Sequence, residues 1–263
     1  MNLRPPFGCR CAVVAAFAVL VSFLPAVQAQ VAYTRLRDCN FATGGGPSGL
    51  IRASDGFLYG TMAFGGESPG FATGVLYRIN PDGSGFQVLH AFDDDEEGAS
   101  PSGPLAEGND GRLYGVCFDG GLVAPGLGGQ GSGTVFRIDK DGSDFEVVKQ
   151  FDATNGAGTT GRRPTDGLRK AGDGRIFGVT RAGGTSGAGT LFSITIAESG
   201  VATVAPVFNF ASQGLGEALG VPIEGPDGKL HGITMSGGAG FGVLYRIGKD
   251  GSGYETLHAF SAA

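Results

Sequence analysis

One block of sequence occurs four times in this chain, marked each time by Asp-Gly pairs set between short apolar runs. A tandem repeat constrains the fold before any local propensity does. Every copy must adopt the same structure and bury its apolar face against a neighbour. The first copy reads Pro47-Ser48-Gly49-Leu50-Ile51, Asp55-Gly56-Phe57-Leu58-Tyr59-Gly60, Gly74-Val75-Leu76-Tyr77-Arg78-Ile79, Asp82-Gly83-Ser84-Gly85 and Phe86 to Phe92. The second carries Asp110 to Gly115, Gly133 to Ile138, Asp141-Gly142-Ser143 and Phe145 to Phe151; the third carries Asp173 to Gly178, Gly189 to Ile194 and a run ending Phe208-Asn209-Phe210. The fourth carries Asp227 to Gly232, Gly242 to Ile247, Asp250-Gly251-Ser252 and Tyr254 to Phe260. One grid position steps through Tyr59, Tyr114, Phe177 and His231.

Each copy holds four β-type runs, A to D, with a turn between A and B and another between C and D. Asp-Gly between apolar runs predicts type I′ hairpins, in which both central residues take positive φ. No segment keeps helical periodicity over three turns. The expected fold is all-β: four four-stranded antiparallel meanders packed radially as a β-propeller-like array, since a lone meander cannot cover both its faces. The repeats fall at about 46–100, 101–163, 164–219 and 220–263. Tyr33-Thr34-Arg35-Leu36 to Phe41 predicts one extra strand within 31–45, which leaves an open arc, a partial ring or a ring completed by another chain as alternatives. A β-solenoid is disfavoured, because its coils rarely hold two tight hairpins.

The 51 glycines would suit a disordered linker, but 19 phenylalanines recur between them at fixed spacing. Residues 1–29 read as a signal peptide: Arg4 and Arg10, then an apolar run from Ala12 to Leu24, then Val27-Gln28-Ala29 as cleavage site. The apolar run is too short to span a bilayer. The expectation is a single repeat domain over 30–263 that is secreted, periplasmic or on the cell surface, with no membrane span in the mature chain. Without the peptide's two arginines, 17 basic residues face 25 acidic ones, a net charge of −8. That disfavours nucleic acid as a partner. Export would permit a disulfide between Cys39 and Cys117; alternatively Cys117 is a small buried strand residue, since it holds the grid position of Met62, Thr180 and Thr234.

The combination Pro-x-x-Gly-Leu, Asp-Gly-x-Leu-Tyr-Gly, Gly-x-Val-Phe-Arg-Ile, Asp-Gly-Ser-Gly and Leu-His-x-Phe resembles the GloVer tandem-repeat (choice-of-anchor) exported bacterial proteins. The likeness runs from Tyr33 to Phe260. It implies propeller-like repeats and export, and it implies no enzyme activity.

A meander sends its B–C and D–A connections to one end of the array and its Asp-Gly turns to the other. The former vary in length, so the binding face is expected there. On it lie Asp93, Asp94, Asp95, Glu96 and Glu97, together with Asp119, Asp152 and Glu217. Hard carboxylate oxygens could take Ca²⁺, although a charge run of this kind is more often a solvated loop. Asp139-Lys140-Asp141-Gly142-Ser143-Asp144 lacks the distal Glu of a calcium loop and reads as a hairpin turn. His90, His231 and His258 follow the repeat grid, which marks packing residues, and no two have zinc spacing. Gly126 to Gly133 lacks the Gly-Lys-Ser/Thr of a phosphate loop. Two functions stand against one another: an exported non-catalytic binding or scaffold protein with an unknown glycan or protein ligand, and an extracellular propeller enzyme cleaving polysaccharide through the loop carboxylates. No catalytic residue is assigned.

Overall fold

The computed structural model describes residues 43–66, 73–93, 96–121, 131–151, 161–185 and 187–262. The signal peptide and Cys39 lie outside the described residues, as do residues 31–42 of the expected extra strand. Four antiparallel meanders follow one another along the chain. The first comprises β1 (Gly45–Arg52), β2 (Leu58–Phe64), β3 (Val75–Ile79) and β4 (Gln87–Ala91). In the second, strand A is split into β5 (Ala99–Pro101) and β6 (Ala106–Glu107), both paired with β7 (Leu113–Asp119); β8 (Thr134–Ile138) and β9 (Glu146–Gln150) complete it. The third holds β10 (Arg162–Lys170), β11 (Ile176–Ala182), β12 (Thr190–Ile196) and β13 (Ala202–Asn209), and the fourth β14 (Ala218–Glu224), β15 (Leu230–Thr234), β16 (Val243–Ile247) and β17 (Glu255–Ala259). A short 3-10 turn at Phe210–Gln213 joins the third meander to the fourth.

The hairpin turns differ from the expected type. In the hairpin turns only the glycine of each Asp-Gly pair has positive φ, from 72° at Gly228 to 93° at Gly142, and none of the turn aspartates does. In every case the glycine N–H donates to the carbonyl three residues earlier, and that earlier residue's N–H closes the loop on the residue after the glycine. Gly56 to Ala53 and Ala53 to Phe57, both 3.0 Å, are an example. This is the hairpin in which a turn leads into a left-handed glycine bulge. The aspartate therefore does not need positive φ. It caps the turn from its side chain: Asp55 accepts the N–H of Phe57 at 3.2 Å, and Asp82, Asp141 and Asp250 each accept both the N–H and the hydroxyl of a serine two residues on. The third copy makes the same second turn at Ala197 and Gly200 without an aspartate.

Successive sheets pack face to face, and each interface uses the same grid positions. Tyr59, Leu76 and Phe92 on the forward face of the first sheet meet Leu113, Phe136 and Ile138 on the rear face of the second. Tyr114, Val135 and Phe151 meet Ile176, Phe192 and Ile194; Phe177, Leu191 and Phe210 meet Leu230, Tyr245 and Ile247. Each forward phenylalanine presents its edge to the next sheet's aromatic ring, at 5.0 Å for Phe92 and Phe136, 5.5 Å for Phe151 and Phe192, and 5.8 Å for Phe210 and Tyr245. The A strands of the first three sheets touch backbone to backbone. A Cβ on Gly49 would overlap the main chain of Gly103 and Pro104, and one on Gly103 would overlap that of Asp166 and Gly167. Only glycine permits this approach, which accounts for Gly49 and Gly103, each two residues after a proline.

The fourth sheet departs from this pattern on one side. Its rear face is buried, but the forward face is not: Ile233 is 37% exposed where Val116 and Val179 are at most 1%, and Phe260 is 42% exposed where Phe92, Phe151 and Phe210 are at most 3%. Among the described residues, no strand of the fourth sheet packs on the first as neighbouring sheets pack on one another. The rear face of the first sheet (Met62, Val75, Tyr77 and Ile79) is nonetheless buried.

Candidate functional site

A cavity lies where the A strands end, at the Asp-Gly end of the array. It holds about 670 Å³ and is lined from three consecutive sheets, within the range of small-molecule sites. Its floor is apolar, from Leu50, Pro104, Leu105 and Leu168, and its polar rim carries Arg52, Glu107, Arg169 and Lys170.

The last residue of strand A alternates in charge around the array: Arg52, Glu107, Lys170, Glu224. The two acids are consumed in clamps between sheets. Glu107 accepts the N–H of Ser54 at 2.8 Å and its hydroxyl at 2.5 Å, and is ion-paired to Lys140 on its own C–D turn. Glu224 accepts the N–H of Gly172 at 2.6 Å and pairs with Lys249 at 2.5 Å. Burial alone would raise the Glu107 carboxyl; the hydrogen bonds from Lys140 and Ser54 outweigh it and hold it below its ordinary range. Glu224 is held down first by the Gly172 N–H and then by Lys249. A lysine cannot accept such bonds, so Lys170 makes no clamp at the interface between the second and third sheets. Arg52, Arg169 and Lys170 are exposed and make no ion pair among the described residues. The cavity mouth therefore keeps a surplus of positive charge in a chain whose overall balance is acidic.

Tyr59 and Tyr114, one turn away, are buried and donate to Asp55 at 2.8 Å and Asp110 at 2.7 Å. Burial and then the carboxylate push each phenol up to about 12, so both are neutral donors at physiological pH.

At the opposite end, the carboxylates singled out from sequence have separate partners. The loop after β4 is tied to itself: the Asp93 carbonyl accepts the N–H groups of Glu97 and Gly98 at 3.1 Å, and the Glu97 carboxylate accepts the Asp93 N–H at 3.1 Å and meets His90 at 2.8 Å. The Glu96 carbonyl takes the Gln150 amide at 3.1 Å, and that of Glu97 takes the Thr134 hydroxyl at 2.7 Å, joining the loop to the second sheet. Asp119 faces Arg163 at 3.6 Å and Glu217 faces Arg181 at 2.9 Å, each pair linking one sheet to the next. Asp94, Asp95 and Asp152 lie outside the described residues. Among the described residues, no group of three or more His, Cys, Asp or Glu side chains is placed to hold a metal ion. A second cavity of about 390 Å³ is bounded by Glu96, Glu97, Phe145, Val147 and Gln150. Asp139 accepts a hydrogen bond from Arg112, and Asp141 caps its own turn through Ser143. His90 stacks on Phe145 at 3.9 Å and His231 bonds Asp227 at 3.0 Å, in keeping with their places on the grid. Cys117 is buried on β7.

The sequence matches the Gloeobacter/Verrucomicrobia repeat over residues 21–218 and 126–263. The chain belongs to this repeat family. No functionally curated protein matches it. Among solved structures, it resembles a chain of a nidogen/laminin complex at 13% identity and a TM-score of 0.51, with 81% of this chain and 65% of that one covered. A protein of unknown function from Dyadobacter fermentans gives 12% and 0.48 (81% and 64% covered), and a gluconolactonase from Xanthomonas campestris 15% and 0.46 (78% and 59%). The chain thus spans less than two thirds of the length of these neighbours. The GloVer repeat here builds an all-β, propeller-like array. No helix among the described residues is long and apolar enough to cross a membrane.

The alternation of Arg52, Glu107, Lys170 and Glu224, each three residues before an Asp-Gly aspartate, was visible in the sequence. It acquires a meaning only where the A strands converge, at the end opposite the variable connections.

Proposed function

We propose that this chain is an exported, non-catalytic binding scaffold whose ligand is an organic anion seated at the mouth formed by the A strands. The observation that carries the reading is the set of unpaired cations Arg52, Arg169 and Lys170 over an apolar floor. Cations at the rim suit carboxylate or sulfate groups, and the leucine floor suits the apolar faces of a ring or chain between them. Acidic polysaccharide is an extracellular ligand of this chemistry. Hydrolysing such a polymer by the two-carboxylate route would need acids facing each other about 5–9 Å apart, whereas Glu97, Asp119 and Glu217 each sit against a cationic or imidazole partner. The cavity beside Glu96 and Glu97 supports a second reading, a ligand held on the variable-connection end.

Calorimetric titration with tetragalacturonate, against neutral cellotetraose, tests the first reading. Binding of the acidic oligomer alone is expected, with Arg52→Glu and Lys170→Glu each weakening it at least about tenfold, or about 1.4 kcal/mol. Equal binding of both sugars, or unchanged affinity in both variants, would overturn it. Loss of binding in a Phe145→Ala variant instead would favour the second cavity.

A further inference from the structure

We infer, on the basis of the anion-binding reading, that a ligand carboxylate completes the clamp missing between the second and third sheets, accepting the Asn109 N–H on one oxygen and the Lys170 ammonium on the other. The molecule builds this clamp twice from its own residues. In each case a glutamate at the end of strand A accepts, on Oε2, a backbone N–H from the preceding sheet's A–B turn. On Oε1 it meets a lysine of its own C–D turn. Glu107 takes Ser54 at 2.8 Å and pairs with Lys140; Glu224 takes Gly172 at 2.6 Å and Lys249 at 2.5 Å. Ser54, Asn109 and Gly172 hold one position, immediately before an Asp-Gly pair, and Glu107, Lys170 and Glu224 hold the other. Between the second and third sheets the two positions are therefore Asn109 and Lys170.

Lys170 is a donor where the clamp needs an acceptor. Among the described residues, neither it nor the Asn109 N–H has a hydrogen-bond partner. Both residues are exposed. Gly108 and Lys170 line the cavity at the A-strand ends, and the next residue, Asn109, lines a smaller one of about 280 Å³. Two donors without an acceptor, where the same fold twice places a carboxylate, define what a ligand must bring: an anion whose two oxygens bridge a backbone amide and a cation. Glu198 adds a charge of the opposite sign. It holds the C–D position of Lys140 and Lys249, lines the smaller cavity with Asn109 and makes no ion pair among the described residues. A carboxylate seated at Asn109 is attracted by Lys170 and repelled by Glu198. Once bound, it ties the second sheet to the third as side chains tie the other junctions.

Amide hydrogen exchange and calorimetric titration, both with tetragalacturonate, test this on the purified chain. Saturation should slow exchange of the Asn109 amide at least about tenfold. Asn109→Pro deletes that donor and suits the turn, since Pro226 holds the position in the fourth copy. It should weaken binding about fivefold, while Glu198→Gln should tighten it about twofold. Combining Lys170→Glu with Glu198→Lys writes the flanking clamp into the protein itself: Tm should rise about 2–4 °C, with binding lost. Unchanged exchange at Asn109 on saturation, or parental affinity in a folded Asn109→Pro variant, overturns the inference. The anion-binding reading then still stands if Arg52→Glu weakens binding. A parent chain that binds no tetragalacturonate overturns both.

Discussion

Phe151 and Phe260 occupy the same position in two copies of one meander, with the same backbone bond and opposite exposures. Phe151 is sealed by Phe192 of the next sheet; Phe260 stands 42% open, with no facing sheet among the described residues. The difference shows that the repeat specifies a face, while burial of that face is a property of the neighbour. In a quasi-linear array, stability is shared between units and their junctions. The interior junctions and the terminal face should thus respond very differently to the same substitution.

The largest effect is expected where main chains touch. Gly103→Ala would drive a Cβ into Asp166 and Gly167 at a φ of 69°, and should cost more than about 3 kcal/mol in urea unfolding or prevent folding. Gly228→Ala, with φ 72° and open space around its Cβ, should cost only about 1–2 kcal/mol. Similar costs at the two sites would mean that the A strands are not held by backbone contact. Next, Phe151→Ala should cost about 3–5 kcal/mol and Phe260→Ala under about 1 kcal/mol. Equal losses would mean that the terminal face is covered in solution.

The clamps give a pH-dependent version of the comparison. Glu107 is held below its ordinary value of 4.5 in the folded chain, so its contribution is complete above that value and is lost as pH falls through the lower folded one. Thermal scans should show Tm falling below about pH 4.5, and falling less in Glu107→Gln, which starts from a lower Tm at neutral pH. A variant that follows the parent curve would separate the clamp from acid stability. The smallest effect is a gain. The Tyr245 hydroxyl is buried with no hydrogen-bond partner, and Phe136 and Phe192 fill its grid position. Tyr245→Phe should stabilise by about 1 kcal/mol, and a loss would point to a partner for the hydroxyl.

Much of this architecture was legible in the residues. The period-two apolar runs located the strands, and their recurrence located the interfaces, because grid and burial share one cause. The turn type is not legible, since Asp-Gly suits two hairpin types. Which one forms depends on whether the aspartate or only the glycine turns left-handed, and that is settled by the loop's closing hydrogen bonds. The cavity is not legible for a different reason. Gly49 and Gly103 look like ordinary turn glycines until two strands distant in sequence meet there, and the charges at the strand ends acquire a common mouth only after that meeting.

The backbone contact between Gly49 and Gly103 has a consequence for how such an array can change. The spacing of the central strands is fixed by atoms that every amino acid shares. Three residues beyond Gly49 and Gly167, Arg52 and Lys170 are thereby released from holding the strands together at their midpoint. Assembly and selectivity are encoded a few ångströms apart along one strand, and a lineage of these repeats can rewrite the second without disturbing the first.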